Sequence, residues 1–427
     1  MTAVTSFDAA PTDPPPVPPA NGVVFSGAES PFWRLLARGA ALLLVTLGIY
    51  RFWLQTDVRR FLWNNTEIAG DYLEYIGTAR ELLLGFLVAI VFLGPLYAIF
   101  GLASLAAQWL QQLAGLFSLV ALAVLGQFAV YRARRYRLSR TVYRGIRFHQ
   151  TGSAWRYAIC AMFWWGMIGI TLGLAYPWAQ ASLERFKMRN TFYGDLRGEF
   201  IGSGTRLFFR GVLLWFVVVA PFVLGLIVAG AMFDGTLVGE AAKQGTRSGT
   251  NALDAAGTGP AAAAAILGTI WLVVAVAVLY PTFQAMVLRW WISGLRFGEL
   301  TATSHLRTGT VYGLYWRFAW MSLVLALVVG VVGFFAAKVV FGADTSAGGQ
   351  RMPFEVVEIS LAIGFYVITA LAYSTIYQAT VKLPFWRHGF ESAELKNVEV
   401  LDRVRAAPAT GSPVGEGFAD ALHVGGI

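Results

Sequence analysis

The sequence predicts an all-α polytopic membrane protein with about eight hydrophobic helical segments, one or two of them re-entrant, with internal repeats and short polar β-hairpin-like segments between them. Three observations predict it. The chain is 57% hydrophobic and 13% charged, with 15 Trp and 31 Phe, more apolar surface than one soluble core of this length can bury. Several uncharged runs exceed the ~20 residues that cross a hydrocarbon core of ~30 Å as a helix. Finally, TLGIYRFW, Thr46 to Trp53, returns as TLGLAYPW, Thr171 to Trp178. Laid over each other without a gap, these stretches and the polar runs behind them keep Thr46/Thr171, Gly48/Gly173, Trp53/Trp178, Gln55/Gln180, Arg60/Arg185, Asn65/Asn190, Thr66/Thr191, Glu74/Glu199 and Gly77/Gly202, the pattern of an internal duplication.

In chain order, residues 1–23 read as a disordered tail, since PTDPPPVPPANG offers nothing to bury. No signal-peptide pattern is recognised there. Residues 24–131 form a first membrane repeat. Its segment Leu35–Leu54, fenced by Arg38 and Arg51, either spans or only dips, because the enclosed helix is about 20 Å long. Behind it, Arg59, Arg60 and Trp63 suggest an interfacial helix, and TEI and DYLEYI around Gly70 suggest a hairpin. Leu82 to Tyr131 is uncharged and interrupted near Gln108, Gln111 and Gln112, which reads as two crossings with a short turn. Residues 132–288 form a second repeat, with Trp155–Trp178, Leu207–Phe233 and Ala261–Leu288 as segments. Residues 289–395 read as a third, degenerate repeat with the spans Val311–Ala337 and Val356–Val381. Residues 396–427 read as a second disordered tail.

Charge argues about topology. Net charge is +9, and Arg132, Arg134, Arg135, Arg137, Arg140, Arg144 and Arg147 crowd one stretch that the positive-inside tendency places in the cytoplasm. If every segment crossed, the TLG copies would be inverted in the bilayer, as in many transporter folds, and one basic loop would face outward. The charge bias therefore favours a Trp155–Trp178 segment that enters and returns on one side, broken near Gly169 and Gly173. A second recurrence stands beside the first. FSGA at Phe25, YIGT at Tyr75, FIGS at Phe200 and TGSA at Thr151 each precede an apolar run. Glycine permits a sharp bend and Ser or Thr caps helix amides, yet a generic helix start does not explain the register with the preceding aromatic.

With TLGIYRFW, NNTEIAG, YRGIRF, GSAWRY, TLGLAYPW and RNTFYGD quoted, the chain resembles the YjgN-like bacterial inner-membrane family, a domain of unknown function, over about Val24 to Leu395. It departs from that pattern where LALVVGVVGFF stands in place of a further TLG-type motif. The resemblance implies the cytoplasmic membrane and a polytopic helical fold. It brings no activity and no catalytic residues. Arg387, Lys396, Arg403 and Arg405 near the start of the C-terminal tail separately lead to the expectation of a cytoplasmic C-terminus.

Chemistry is sparse. His149, His305, His388 and His423 lack ligand spacing, so no metal site is expected. Cys160 stands alone, which excludes a disulfide framework within one chain. No nucleophile, base or cofactor motif appears, so no enzyme and no cofactor are expected. Basic stretches flanking apolar runs point to anionic lipid rather than nucleic acid, with the seven arginines from Arg132 to Arg147 as candidate lipid or anion contacts. The motif residues Thr46, Gly48, Trp53, Asn65, Thr66, Gly77, Thr171, Gly173, Trp178, Asn190, Thr191 and Gly202 are assigned structural roles; for Asn65/Thr66 and Asn190/Thr191 these are turn and capping chemistry. Two functions are carried forward: transport or gating of a small solute or lipid between the duplicated halves, or a non-transporting scaffold that binds anionic lipid or a partner protein. The interiors of the segments taken as confident spans are read as free of Asp, Glu, Lys and Arg, an expectation that counts against an ion-coupled transporter. The solute and a homo-oligomeric state are left open.

Overall fold

The computed structural model describes residues 22–106, 108–232, 258–342 and 354–406. β1 (Val23–Phe25) leads into α1 (Glu29–Val45) and α2 (Arg51–Asn64). The hairpin β2 (Thr66–Ile68) and β3 (Asp71–Tyr75) leads into α3 (Ala79–Ala106) and α4 (Gln108–Ser139). Next, β4 (Thr141–Tyr143) and β5 (Ile146–Gln150) lead into α5 (Ala154–Ile170) and α6 (Tyr176–Arg189). β6 (Thr191–Tyr193) and β7 (Leu196–Phe200) lead into α7 (Gly204–Met232) and α8 (Thr258–Ile292). After β8 (Leu295–Phe297) and β9 (Leu300–Ser304) come α9 (Thr308–Gly342) and α10 (Phe354–Tyr377), then a π-helical turn (Gln378–Lys382), α11 (Leu383–Glu391) and β10 (Ala393–Lys396).

The strands form one 10-stranded sheet in chain order, each antiparallel to its neighbours. Gly22 bridges Glu394, so the sheet curls into a nearly closed barrel. This order fixes where everything else goes. Two-residue turns join β2 to β3, β4 to β5, β6 to β7 and β8 to β9, all at one end. Helix pairs join the remaining neighbours, all at the other end. The turns follow hairpin chemistry: Ala69 and Gly70 have φ of 49° and 89°, Arg144 and Gly145 have 48° and 74°, the twist-matched type with both central residues left-handed. Gly194 and Gly298 lead the other two turns, with φ of 55° and 56°.

Leu73, Tyr75, Tyr143 and Tyr193 are buried in a cluster that also takes in Phe148, Phe297, Leu62 and Trp63 of α2, and Leu401. Tyr193 donates to the Tyr143 carbonyl at 3.1 Å, and Tyr143 to that of Ile68 at 2.7 Å. Tyr72, Glu74, Arg147 and Glu199 are exposed on the strands, the alternation that a filled barrel imposes. A 3-10 helix (Val398–Arg403) follows β10 and passes over the turn end. Asn397 donates to the Glu299 carbonyl at 3.0 Å, Arg144 pairs with Asp402, and Asp195 and Arg405 exchange bonds at 3.1 and 3.0 Å. A Cβ on Gly194 would lie 2.2 Å from the Arg405 carbonyl oxygen, so only glycine lets the segment pass.

Both TLG motifs are tight helix-to-helix turns. Thr46 donates to the Leu42 carbonyl at 2.7 Å and accepts from the Tyr50 amide at 3.0 Å; Thr171 does the same with Met167 at 2.7 Å and Ala175 at 3.0 Å. One hydroxyl thus serves the end of one helix and the start of the next. Gly48 and Gly173 donate to Leu43 and Ile168 at 2.8 and 2.7 Å, a Schellman closure with Leu47 and Leu172 both at φ 50°. At the tips, Val45, Leu47, Ile170 and Leu172 are 60–93% exposed, a surface suited to hydrocarbon. The aromatic-x-Gly recurrence has an equally concrete basis. A Cβ on Gly27, Gly77 or Gly202 would meet the ring of Phe25, Tyr75 or Phe200 at 2.5–2.6 Å, because the ring folds back over the glycine two residues on.

Threonines tie successive units together. Thr66, Thr141 and Thr191, each the first residue of a hairpin, are buried and donate to the carbonyl four residues back at 2.7–2.9 Å. Each also accepts from the preceding unit: Trp386 at 3.1 Å, Trp63 at 3.0 Å and Arg134 at 3.2 Å. Asn65 and Asn190 donate to Phe61 and Phe186 at 2.7 Å, closing the same helix ends.

Three expectations are corrected and two others are placed. The chain is not all-α, because the polar runs between apolar segments are strands whose partners are distant in sequence. Of the about eight hydrophobic helical segments expected, five helices among the described residues are long and apolar enough to cross a membrane: Gly115–Ser139, Gly204–Ala231, Pro260–Ile292, Thr308–Ala336 and Ile359–Glu391. Leu35–Leu54, left open as spanning or dipping, and Trp155–Trp178, expected to enter and return on one side, are each broken at TLG and lead back to the barrel. The spans are not free of charge: Arg210 and Arg317 fall inside the segments Leu207–Phe233 and Val311–Ala337, and with Arg289 they lie at the helix roots, where Arg317 pairs with Glu29 at 2.9 Å. Residues 396–406, placed in a tail on sequence, end β10 and cover the barrel instead. The loops expected after Asp234 and near Asp344, and the tails 1–21 and 407–427, lie outside the described residues.

Three outcomes follow from this architecture. In a Cys160→Ser background, Tyr72→Cys, Glu199→Cys and Glu299→Cys react with an impermeant thiol reagent from one and the same side of the membrane; reaction from opposite sides contradicts the barrel. Thr66→Val removes the buried hydroxyl that accepts from the partly buried Trp386 indole and costs about 1–3 kcal/mol in thermal unfolding, while Thr66→Ser retains most of the stability. Burial, then the neighbouring Tyr143, pushes Tyr193 from 10.0 up to about 12. Its folded pKa is raised, so this stabilisation is complete below pH 10 and lost as pH rises through about 12. Tyr193→Phe flattens that alkaline loss in a melting series.

Candidate functional site

The seven arginines singled out on sequence do not converge. Arg132, Arg134, Arg135 and Arg137 lie on α4 near its barrel end. Arg134 serves Thr191, as above, and Arg135 donates to the Gly152 carbonyl. Arg132 sits over the Phe128 ring at 5.8 Å. Arg140 makes a forked pair with Glu81, at 2.8 and 3.1 Å. Arg144 stands in the β4–β5 turn at the far end of the barrel, against Asp71 and Asp402, and Arg147 points outward from β5. Most of this charge is spent on internal joints.

A different cluster forms a cavity. Where β7 gives way to α7 and α8 gives way to β8, a space of about 500 Å³ is lined by Arg206, Arg210 and Arg289, with Ser203, Ser293, Ser304 and Trp290 among its walls. The lining holds no carboxylate. Arg206 and Arg210 are four residues apart on α7, so their side chains share a face. Among the described residues, neither side chain has a hydrogen bond or an ion pair. Arg289 comes across from α8 and donates to the Leu306 carbonyl at 3.2 Å. Arg60 reaches the Gly77 carbonyl at 3.0 Å in the same manner. Trp290 donates to the Ser203 carbonyl at 3.0 Å, and Ile201 to that of Gly294 at 2.9 Å, which fixes the two walls. Ser203 caps α7 through the Arg206 amide at 3.4 Å. The remaining first-turn amides of that helix add positive potential.

Beside it runs an apolar groove of about 310 Å³ between the α5–α6 turn and the α7–α8 pair. Met286 lines both spaces. The groove walls include Leu207, Gly211, Trp215 and Val219 on α7, Val276 and Phe283 on α8, and Gly173 of the second TLG turn. Trp215 donates to the Leu172 carbonyl at 2.7 Å, holding the TLG tip against α7. The α7–α8 pair is itself close: a Cβ on Gly225 would come within 3.1 Å of the Ala264 carbonyl and 3.2 Å of Gly268 Cα.

A third polar group lies where α4, α6 and α8 meet. Glu184 is buried, pairs with Lys187 and accepts from the Trp291 indole at 3.1 Å. By the gapless alignment it stands where the first copy has Arg59, which is also buried and donates to the Tyr75 hydroxyl at 3.2 Å. Opposite charges thus occupy matching places.

Sequence reasoning missed both Arg206 and Arg210: Arg206 fell just outside a span started at Leu207, and Arg210 was passed over inside it. The signal was present as a basic pair four residues apart just after FIGSG. Arg289 entered the sequence reading only as the first residue of the degenerate third repeat. Trp53 and Trp178 mark the roots of α2 and α6; Trp53 stacks on Tyr50 at 6.2 Å, and Trp178 donates to Thr205 at 3.3 Å.

No curated protein and no solved structure matches the chain. A family described as "Bacterial protein of unknown function (DUF898)" matches residues 20–257 and 252–419. With nearly the whole barrel and all its helix pairs inside those limits, the chain belongs to this bacterial family, the YjgN-like one that its TLG and NNTEIAG motifs resemble.

Proposed function

We propose that this is a non-enzymatic membrane scaffold that binds anionic lipid from one leaflet, with its barrel on the cytoplasmic face of the bacterial inner membrane. One observation carries the reading: every helix pair leaves and rejoins the same end of a ring of strands. Long pairs then cross and come back, while the two TLG pairs dip in with apolar tips. Arginines gather at the helix roots, at head-group depth, which fits a cytoplasmic barrel by the positive-inside tendency and favours anionic lipid. The 3-10 helix after β10 lies on that same face.

Transport between inverted halves loses its geometric support, because the two TLG units share a face instead of opposing each other. The charged side chains described at the helix roots are largely held in pairs, as at Arg140 and Glu81 or Arg317 and Glu29. That arrangement suits a rigid scaffold better than a moving relay.

The test is a melting series of purified protein in neutral detergent with added phosphatidylglycerol or phosphatidylcholine, alongside flux and lipid-scrambling assays in liposomes. Preferential binding of the anionic lipid to the folded state raises Tm more than the zwitterionic one does, the gap narrows with salt, and vesicles show no flux or scrambling above empty controls. Equal shifts for both lipids remove the anionic-lipid reading, and flux above controls replaces the scaffold with a carrier.

A further inference from the structure

We infer that the cavity and the groove joined at Met286 form one binding site for a single anionic phospholipid, its phosphate held by Arg206, Arg210 and Arg289 and one acyl chain laid along α7. This rests on the lipid-binding reading above and narrows it to one site and one ligand class.

The polar half matches a phosphate in charge and chemistry. Three guanidinium groups face a space with no carboxylate in its walls, and arginine is the side chain best suited to bind phosphate oxygens with two parallel hydrogen bonds. Ser203, Ser293 and Ser304 add hydroxyls for the glycerol or for further phosphate oxygens. Two of the arginines have no competing partner among the described residues, so a bound anion displaces no protein contact there. Elsewhere in the molecule Arg140, Arg144 and Arg317 have their carboxylates, which makes this carboxylate-free set of three distinct.

The apolar half matches a chain in length. Along α7 the groove runs from Leu207 to Val219, about 18 Å at ~1.5 Å per residue. One leaflet of hydrocarbon is about 15 Å deep, half of ~30 Å. The groove starts at the arginines and ends at the TLG tip, where Gly173 leaves room beside Trp215. A free phosphate would use the first half and leave the second without purpose. A neutral lipid would leave two arginines facing each other with nothing to offset them.

The full chain in neutral detergent is measured by native mass spectrometry and by titration with three probes: phosphatidylglycerol, glycerol 3-phosphate and inorganic phosphate. Wild type retains one tightly bound phosphatidylglycerol and binds it far more tightly than either soluble phosphate. Arg206→Gln with Arg210→Gln weakens phosphatidylglycerol by about tenfold or more, the loss expected for charge-assisted bonds, whereas Arg132→Gln with Arg147→Gln leaves it within about twofold. Val219→Trp, which fills the groove, weakens phosphatidylglycerol but leaves glycerol 3-phosphate binding unchanged, and so separates a blocked tail from a misfolded protein. If wild type prefers the anionic lipid while the Arg206/Arg210 variant matches it, this site is overturned and the broader reading survives. If wild type shows no preference at all, both fall. If inorganic phosphate binds as tightly as the phospholipid, the occupant is a free anion and the lipid assignment is overturned.

Discussion

Closure of the strand ring is the constraint on which the rest of the structure depends. Ten strands paired in chain order, with Gly22 meeting Glu394, leave only two kinds of connection, and antiparallel geometry puts each kind at its own end. Helix pairs therefore cannot emerge on both sides. Near-closure also solves two problems at once: it leaves little of the open edge that a sheet of short strands would expose, and it supplies backbone partners to polar runs lying next to a bilayer that cannot hydrate them.

Hydrogen-bond economy explains the residues that recur. At the TLG turns one threonine hydroxyl serves two helix ends, a leucine adopts the left-handed conformation, and a glycine closes the loop, so a reversal needs few residues and leaves little backbone unsatisfied. Thr66, Thr141 and Thr191 do similar work at the barrel rim, where each hydroxyl both gives and accepts. At the corresponding place in the fourth hairpin stands Leu295, and there the link between units passes instead through Trp291 and the Glu184 carboxylate. The same joint is made with different chemistry where the hydroxyl is missing.

Much of this was legible in the chain. TLG was read as a break, the hairpin around Gly70 was seen, and the second TLG segment was expected to return because its arginines could not all face outward. Those signals are local: a turn needs its glycine, and a basic loop stays on its side. The barrel was not legible, since strands of three to five residues such as TVY or LRF are too short to carry a periodic pattern, and their pairing, as of Phe25 with Thr66 or Phe200 with Leu295, reaches across whole helix pairs. The arginine cavity escaped for a related reason. Arg206 looked like the ordinary flank of a span and Arg210 was passed over inside it, and Arg289 reaches them only from the other helix.

By itself, then, the amino-acid order determined the apolar surroundings this protein requires and the places where its helices must turn, because each depends on side chains near one another along the chain. Tertiary structure alone decided that the polar runs join into one ring, that both TLG units share a face, and which arginines stand together without a carboxylate. Those outcomes depend on partners separated by whole helices, and no local preference encodes them.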